Sequence, residues 1–183
     1  MNRIDPNLWV DTYGDSLYSY ALFRVENKLQ AEELVQDTFV AALTARSTFA
    51  GKSSEKTWFF SILKNKIYDY LRRKYKETSM PANKLEAVIE ENYFNGKSGW
   101  KKKSEHWAEN PQRKFEEKEF LTVLKSCVDN LPAKQGHAFL MRELDELDNE
   151  EICKVLGVSS TNYWVLMHRA RLKIRKCLEN RWF

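Results

Sequence analysis

The sequence predicts an all-α chain of two helical domains, an N-terminal bundle and a C-terminal helix-turn-helix, joined by a long linker. Three observations carry that expectation. Apolar residues recur at helical spacing in successive blocks, and no segment keeps the alternation of a strand. Helix punctuation falls where the periodicity starts and stops, with Pro132, Asp148, Gly157 and Ser159 or Ser160 dividing the last third of the chain. Between the two patterned blocks the periodicity breaks at Met80-Pro81-Ala82-Asn83 and again at Asn95-Gly96-Lys97-Ser98-Gly99. The boundaries that follow are residues 1–76, a linker over 77–112, and residues 113–183.

Taken in order, Tyr13, Leu17 and Ala21 line a first helix. Leu34, Val35, Thr38, Phe39, Ala42 and Leu43 give a second helix a buried apolar stripe. Phe59, Ile62, Leu63, Ile67, Tyr70 and Leu71 mark a third, from about Lys56 to Tyr75. The linker is basic and aromatic, with Tyr93, Phe94, Trp100 and Trp107 among Lys101, Lys102, Lys103 and His106. Helix resumes after Asn110-Pro111 with Phe120, Leu121, Leu124 and Val128, and Pro132 opens another. Asp148 with Glu151 three residues on has the form of a capping box, Ile152, Val155 and Leu156 make an apolar stripe, and Gly157 supplies a left-handed stop. Ser159 or Ser160 then caps a long helix whose apolar positions are Tyr163, Met167, Ala170, Ile174 and Cys177. Its other face carries His168, Arg169, Arg171, Arg175 and Lys176. Small polar residues at the helix start with cations behind them suit insertion into a DNA major groove with phosphate anchoring.

The bulk numbers narrow the classes. Across 183 residues, 43% hydrophobic and 31% charged content fits a soluble globular protein. A net charge of only +4 makes any nucleic-acid footprint local rather than a property of the whole surface. Aromatic content of 13%, with six Trp, exceeds what packing requires, so some rings are expected at contacts. The N-terminus lacks an apolar run of signal-peptide length and nothing later reaches membrane-spanning length, so no membrane insertion and a cytoplasmic location are expected. Cys127, Cys153 and Cys177 are odd in number and far apart, which predicts reduced thiols and no disulfide framework. Those cysteines with His137 and His168 lack close ligand spacing, so neither a metal nor another cofactor is expected. No Gly-rich phosphate loop, H-E-x-x-H or nucleophile elbow is present, and no enzyme activity is expected.

Three motifs then carry a resemblance. Phe49-Ala50-Gly51-Lys52-Ser53-Ser54 followed by Thr57-Trp58-Phe59, Asn65 and Asp69-Tyr70-Leu71-Arg72-Arg73 is similar to an F-x-G-x-S loop, T-W-L-x-x-I, a polar N and D-x-L-R-R. Ala31-Glu32-Glu33-Leu34-Val35-Gln36-Asp37-Thr38-Phe39 resembles A-E-D-L-V-Q-E-T-F. Leu131-Pro132 through Glu143, and Glu150-Glu151-Ile152 to His168-Arg169-Ala170-Arg171, complete the series in order. These are the patterns of extracytoplasmic-function (group IV) sigma factors of the sigma-70 family. The resemblance implies a sigma factor that docks core RNA polymerase, recognises promoter DNA and opens it.

By that resemblance the exposed Glu33, Gln36, Asp37 and Val40 would grip the clamp helices of the polymerase's largest subunit. Lys52, Ser53 and Ser54 would surround an extruded base of the single-stranded minus-ten element, with Lys56, Lys64, Asn65, Arg72 and Arg73 along its phosphates. Ser159, Ser160, Thr161, Asn162, Trp164, His168, Arg169 and Arg171 would meet the duplex minus-thirty-five element. An anti-sigma protein is the further implied partner. The recognition helix departs from the family: Tyr163-Trp164-Val165-Leu166-Met167 stands where V-K-S-R-L is usual, as in a subset ending C-L-E-x-x-W-F, here Cys177 to Phe183. Two other readings stay open on the residues: a conventional helix-turn-helix repressor, and a protein that mimics a sigma factor and sequesters its regulator. Against the first stand the Ser-rich loop and the Glu33 to Phe39 motif.

Overall fold

Every regular element of the computed structural model is helical among the residues it describes, which are 6–49, 51, 53–77 and 111–182, with backbone alone at 48 and 111–118. The N-terminal block contains α1 (Trp9–Val25), α2 (Lys28–Ala45) and α3 (Glu55–Glu77). The C-terminal block contains α4 (Pro111–Asp129), α5 (Ala133–Glu143), α6 (Asn149–Leu156) and α7 (Ser160–Arg181). The linker aromatics and cations lie outside the described residues.

Local chemistry explains the helix ends. Glu26 closes α1 in a left-handed conformation at φ 55°, returning its N–H to Leu22 O, and Asn27 then caps α2 by accepting from the Gln30 amide at 3.0 Å. Ser54 Oγ accepts from the Thr57 amide at 3.1 Å and starts α3. Asp148 Oδ1 accepts from the Glu151 amide at 2.8 Å, Gly157 turns at φ 61°, and Ser159 Oγ accepts from the Asn162 amide at 3.2 Å. The last three features build the expected helix-turn-helix from α6 and α7.

Each helix then buries its apolar stripe. Leu17 and Ala21 of α1, Ala31, Leu34 and Ala42 of α2, and Phe59, Leu63, Ile67 and Leu71 of α3 fill the N-terminal core. Phe59 is its hub, with ring centroids 4.9 Å from Trp9, 5.1 Å from Tyr13 and 5.5 Å from Phe39. Pairs of that geometry add about 0.5–1.5 kcal/mol each beyond area burial. Thr38 is buried without cost because its hydroxyl donates to Leu34 O at 2.7 Å. In the C-terminal block Ile152, Val155, Leu156, Tyr163 and Met167 pack together, while Leu124, Val128, Leu140 and Ile174 seat α4 and α7 in a second cluster.

Two expectations fail here. Leu43, assigned to the buried stripe, is 52% exposed, because its helical spacing puts it on the outward side of α2 with Val40. Cys127 and Cys177, expected as reduced thiols, form a disulfide with a Cα–Cα distance of 5.8 Å. Fifty residues of sequence separation said nothing about their distance once α4 and α7 packed together. Cys153 alone keeps a thiol, and burial with the nearby Glu150 charge raises its pKa.

The two blocks are also packed against each other. α3 lies on α6, and Tyr68, Leu71 and Tyr75 belong to the same continuous apolar cluster as Ala138, Met141, Ile152 and Val155.

Candidate nucleic-acid and polymerase interfaces

Helical spacing sets the outer face of α2. Glu33, Gln36 and Asp37 are exposed and Val40 is 63% exposed, as expected from the buried Leu34, Val35 and Thr38 behind them. The sequence reading missed that Leu29 and Leu43 are exposed on the same stripe, since 29, 33, 36, 40 and 43 advance by four and three. The missed signal was this second apolar repeat, which the fold leaves uncovered. The resulting strip is apolar with acidic borders. Asp37 is tied loosely to α3 through Lys66 at 3.8 Å.

The loop before α3 presents Ser53, exposed, with Oγ 3.4 Å from Ser54 O. Lys52 lies outside the described residues. Ser54 is exposed too, but its hydroxyl serves the helix start and meets Thr57 Oγ1 at 2.8 Å, so its first role is capping. Trp58 is half-buried between Phe49 at 4.7 Å and Phe59 at 5.5 Å, so its ring braces the loop against the bundle. Lys56, Asn65, Arg72 and Arg73 are exposed along α3. Arg72 is held by Asp69 at 2.6 Å, one turn back. Asn65 and Arg72 also line a shallow cleft with Tyr68, Asp69, Leu147, Glu151 and Val155, so part of this face looks onto the other block.

On α7 the buried positions Tyr163, Met167, Ala170 and Ile174 define the inner face. Ser159, Ser160, Thr161, His168 and Arg169 are exposed, and Asn162 is half-buried. Trp164 is 51% exposed, its ring set edge-on to Tyr163 at 5.4 Å, so it does not pack in the core. Thr161, Trp164, His168 and Leu172 advance by three or four and share the outward face. Arg171 is turned to the side, with Nη2 2.7 Å from Glu143 Oε1 of α5.

A buried polar cluster between the blocks was not foreseen. Asp145, in the α5–α6 loop, has a side chain only 1% exposed. Its Oδ1 accepts from Arg24 Nη2 at 2.6 Å and from Tyr20 at 2.7 Å, and its Oδ2 accepts from Arg24 Nε at 3.2 Å and Tyr68 at 3.0 Å. Lys64 Nζ stands 3.7 Å away. Burial pushes against the Asp145 carboxylate charge, but hydrogen bonding and charge from Arg24, aided by Tyr20 and Lys64, hold its pKa below the ordinary value. Burial, with the Asp145 charge, raises the hydroxyl pKa of Tyr68, and also that of Tyr20, where Arg24 partly opposes it. The guanidinium sits 3.3 Å over the Tyr20 ring.

Beside it, His137 of α5 bridges to α1 and α3. The Arg24 carbonyl can only accept, so Nε2 donates to it at 2.8 Å, and Nδ1 accepts from the Tyr75 hydroxyl. Burial lowers the His137 pKa to about 4, and Lys74 lowers it further against the backbone bond. Asp145 was hidden in the sequence by neighbours of the same charge, Glu143, Glu146 and Asp148. The available signal was Arg24, a cation in an otherwise apolar stripe with Leu17, Ala21 and Val25, which a core admits only with a partner.

The described residues form a two-block helical protein with a helix-turn-helix in the second block and an exposed acidic-apolar strip on α2 of the first. Comparison with known proteins narrows this. Residues 9–77 match the model for sigma-70 region 2 and residues 121–174 that for sigma-70 region 4. The chain is 36% identical to a probable RNA polymerase sigma factor of Haemophilus influenzae, over 90% of this chain and 85% of that one. It is 27% identical to RNA polymerase sigma factor YlaC of Bacillus subtilis, over 90% and 86%. A sigma factor RpoE solved with the anti-sigma factor NepR from Bartonella quintana is similar at 20% identity and TM-score 0.44, over 94% and 96% of the two chains. The protein belongs to the sigma-70 family of RNA polymerase sigma factors, in its extracytoplasmic-function branch. No helix among the described residues is long and apolar enough to cross a membrane.

Proposed function

We propose a division of labour among three faces of this promoter-recognising sigma factor. The α2 strip of Glu33, Gln36, Asp37 and Val40, bordered by Leu29 and Leu43, docks core polymerase. Apolar positions at helical spacing with acidic flanks suit a helical partner carrying cations. The loop with Lys52 and Ser53, capped by Ser54, captures an unstacked base of the minus-ten strand, and Lys56, Lys64, Asn65, Arg72 and Arg73 follow its phosphates. Ser159 to Asn162, Trp164, His168, Arg169 and Arg171 meet the duplex minus-thirty-five element. These roles divide as residues 1–76 and 113–183, joined by 77–112.

The observation that carries this reading is the agreement of two region matches, in order, with three exposed faces of the right chemistry. The chain supplies no catalysis, which belongs to the polymerase; it works in the cytoplasm, under an anti-sigma protein. Purified chain added to core polymerase and a promoter library tests the assignment. Discrete transcript starts that require both components are expected. Tight duplex binding by the free chain, without transcription, would instead favour a repressor.

A further inference from the structure

We propose that Cys127 and Cys177 are a reversible dithiol–disulfide couple that sets the strength of duplex recognition, closed by thiol oxidants and opened by reduction. The proposal rests on the reading of α7 as the duplex-binding helix and on the cytoplasmic location proposed with it.

The bond and that compartment are in tension. Small-thiol buffers keep cytoplasmic cysteines reduced, and the disulfides that do form there are mostly transient and redox-sensing. Yet the fold brings Cys127 and Cys177 to a Cα–Cα distance of 5.8 Å, where they bond. The helices that carry them already meet, with Leu124 and Val128 of α4 and Ile174 of α7 in one buried cluster. Closing or opening the bond therefore asks for no rearrangement of the fold.

Its placement selects one function. From Cys127 to Cys177 the chain runs through all of α5 and α6 and most of α7, so the bond rings the unit that carries Thr161, Trp164, His168 and Arg169. No cysteine precedes Cys127, so neither the α2 strip nor the loop before α3 has a thiol. Oxidation thus acts on the duplex-reading block alone. Within that block α4 packs chiefly on α7. Besides the apolar cluster, it is held by Arg181 donating to Ser126 Oγ and by Phe120 edge-on to Trp182 at 5.5 Å, both at the terminal turn of α7. Helix ends open most readily. With the bond reduced, that end loosens, and with it the segment carrying the cations Arg175 and Lys176.

The chemistry has a defined order. Cys127 is 2% exposed and Cys177 is half-buried, so Cys177 is the sulfur that an oxidant reaches first. Its thiolate attacks a peroxide, keeps one oxygen as a sulfenic acid and releases hydroxide or alkoxide. The Cys127 thiol then attacks that sulfur, the S–S bond forms, and the oxygen leaves with the thiol proton as water. Two electrons have passed from the two thiols to the peroxide. In the reverse direction a small thiol such as glutathione attacks the bond to give a mixed disulfide. A second small thiol then releases the protein thiol and leaves as glutathione disulfide. Cys153 stays outside the couple, since burial and the Glu150 charge raise its pKa and keep it protonated.

Reduced and oxidised forms of the wild-type full chain can be compared without any substitution. Incubation in glutathione buffers of graded ratio, followed by thiol alkylation and peptide mass spectrometry, should show the Cys127–Cys177 pair changing state between the two extremes. A pair that stays bonded in millimolar reduced glutathione is a structural staple, and one that never bonds in oxidised glutathione is no couple; either result overturns the proposal. On reduction, amide exchange should quicken several-fold in α4 and the last two turns of α7, with α1 to α3 unchanged. With core polymerase and the redox reagents removed, the oxidised chain should give several-fold more transcript from a promoter that depends on its minus-thirty-five element. Cys127→Ser with Cys177→Ser should give the reduced value after either treatment, and Cys153→Ala should respond like wild type. Equal output from the two wild-type forms, or a response that survives in the double variant, overturns control of recognition by the couple. If neither form transcribes with core, the functional reading fails, while the couple stands or falls on the alkylation result.

Discussion

The two faces proposed to meet DNA are made from similar materials and presented in opposite ways. On α7 the cations and Trp164 stand outward from a helix whose inner face is sealed by Tyr163, Met167, Ala170 and Ile174. On α3 the corresponding residues share their helix with Tyr68, Leu71 and Tyr75, which are committed to the interface with the other block. A helix that serves two masters cannot present its polar face independently of its apolar one. The difference teaches that the polar face of α3 is tied to the arrangement of the blocks through its apolar face, whereas the outward face of α7 is tied only to its own block.

The largest expected effect attacks the side of the comparison that depends on contact. Arg24→Ala would leave the Asp145 carboxylate buried without its bidentate partner, a change that costs about 3–5 kcal/mol. Urea unfolding should show that loss as an early transition of the inter-block interface. An unchanged profile would mean that Tyr20, Tyr68 and Lys64 hold the carboxylate alone.

The next effect belongs to the C-terminal block alone. The Cys127–Cys177 disulfide closes a 50-residue separation between α4 and α7, and removing it with Cys127→Ala should cost about 2–4 kcal/mol. Because it ties α4 to α7, the loss should appear in the melting of that block and leave the inter-block transition in place. A shift in the interface transition instead would show that the disulfide supports the contact between the blocks.

Trp164 sharpens the α7 side. An indole half in solvent contributes little to the core, so Trp164→Ala should leave melting nearly unchanged while costing about 1–3 kcal/mol of discrimination at the upstream element. Arg169→Ala should weaken all promoters alike and reduce the salt slope by about one. Binding titrations of the holoenzyme across salt and sequence separate the two. Equal losses on every sequence for Trp164→Ala would assign the indole to a phosphate or to the polymerase.

How far the sequence foretold this depends on whether a feature is local. Asp148, Gly157 and Ser159 act on their own neighbours, and each does in the structure what its position announces. The outer face of α2 was legible because burying Leu34, Val35 and Thr38 fixes where Glu33, Gln36 and Asp37 must point. The disulfide and the Asp145 cluster were not legible, since both join residues from distant elements. Asp145 meets Tyr20, Arg24, Lys64 and Tyr68 only after the blocks dock, and no spacing along the chain encodes that meeting. Leu43 shows a smaller limit, since its spacing of three from Val40 puts it on the exposed stripe of α2 although it follows the buried Ala42 directly.

The smallest expected effect, and the one that separates His137 from Asp145, is the response to acid. His137 is neutral when folded, with a pKa lowered to about 4 against an ordinary value near 6.5, so the unfolded chain binds a proton that the folded chain refuses. Its stabilisation is complete above about pH 6.5 and is lost as pH falls toward 4, by about 1 kcal/mol between pH 7 and 5.5. Asp145, with its pKa below the ordinary carboxylate value, contributes above that value and is lost only as pH falls through its folded one. Both act in the same direction, but in separate windows. Scattering or Trp fluorescence between pH 7 and 4.5 should therefore show the contact between the blocks weakening before Asp145 titrates. His137→Gln, which cannot take up the proton, should flatten that response while leaving the lower one. If the slope above pH 5 survives the substitution, another group governs it, and the His137 bridge between α5, α1 and α3 is only a packing contact.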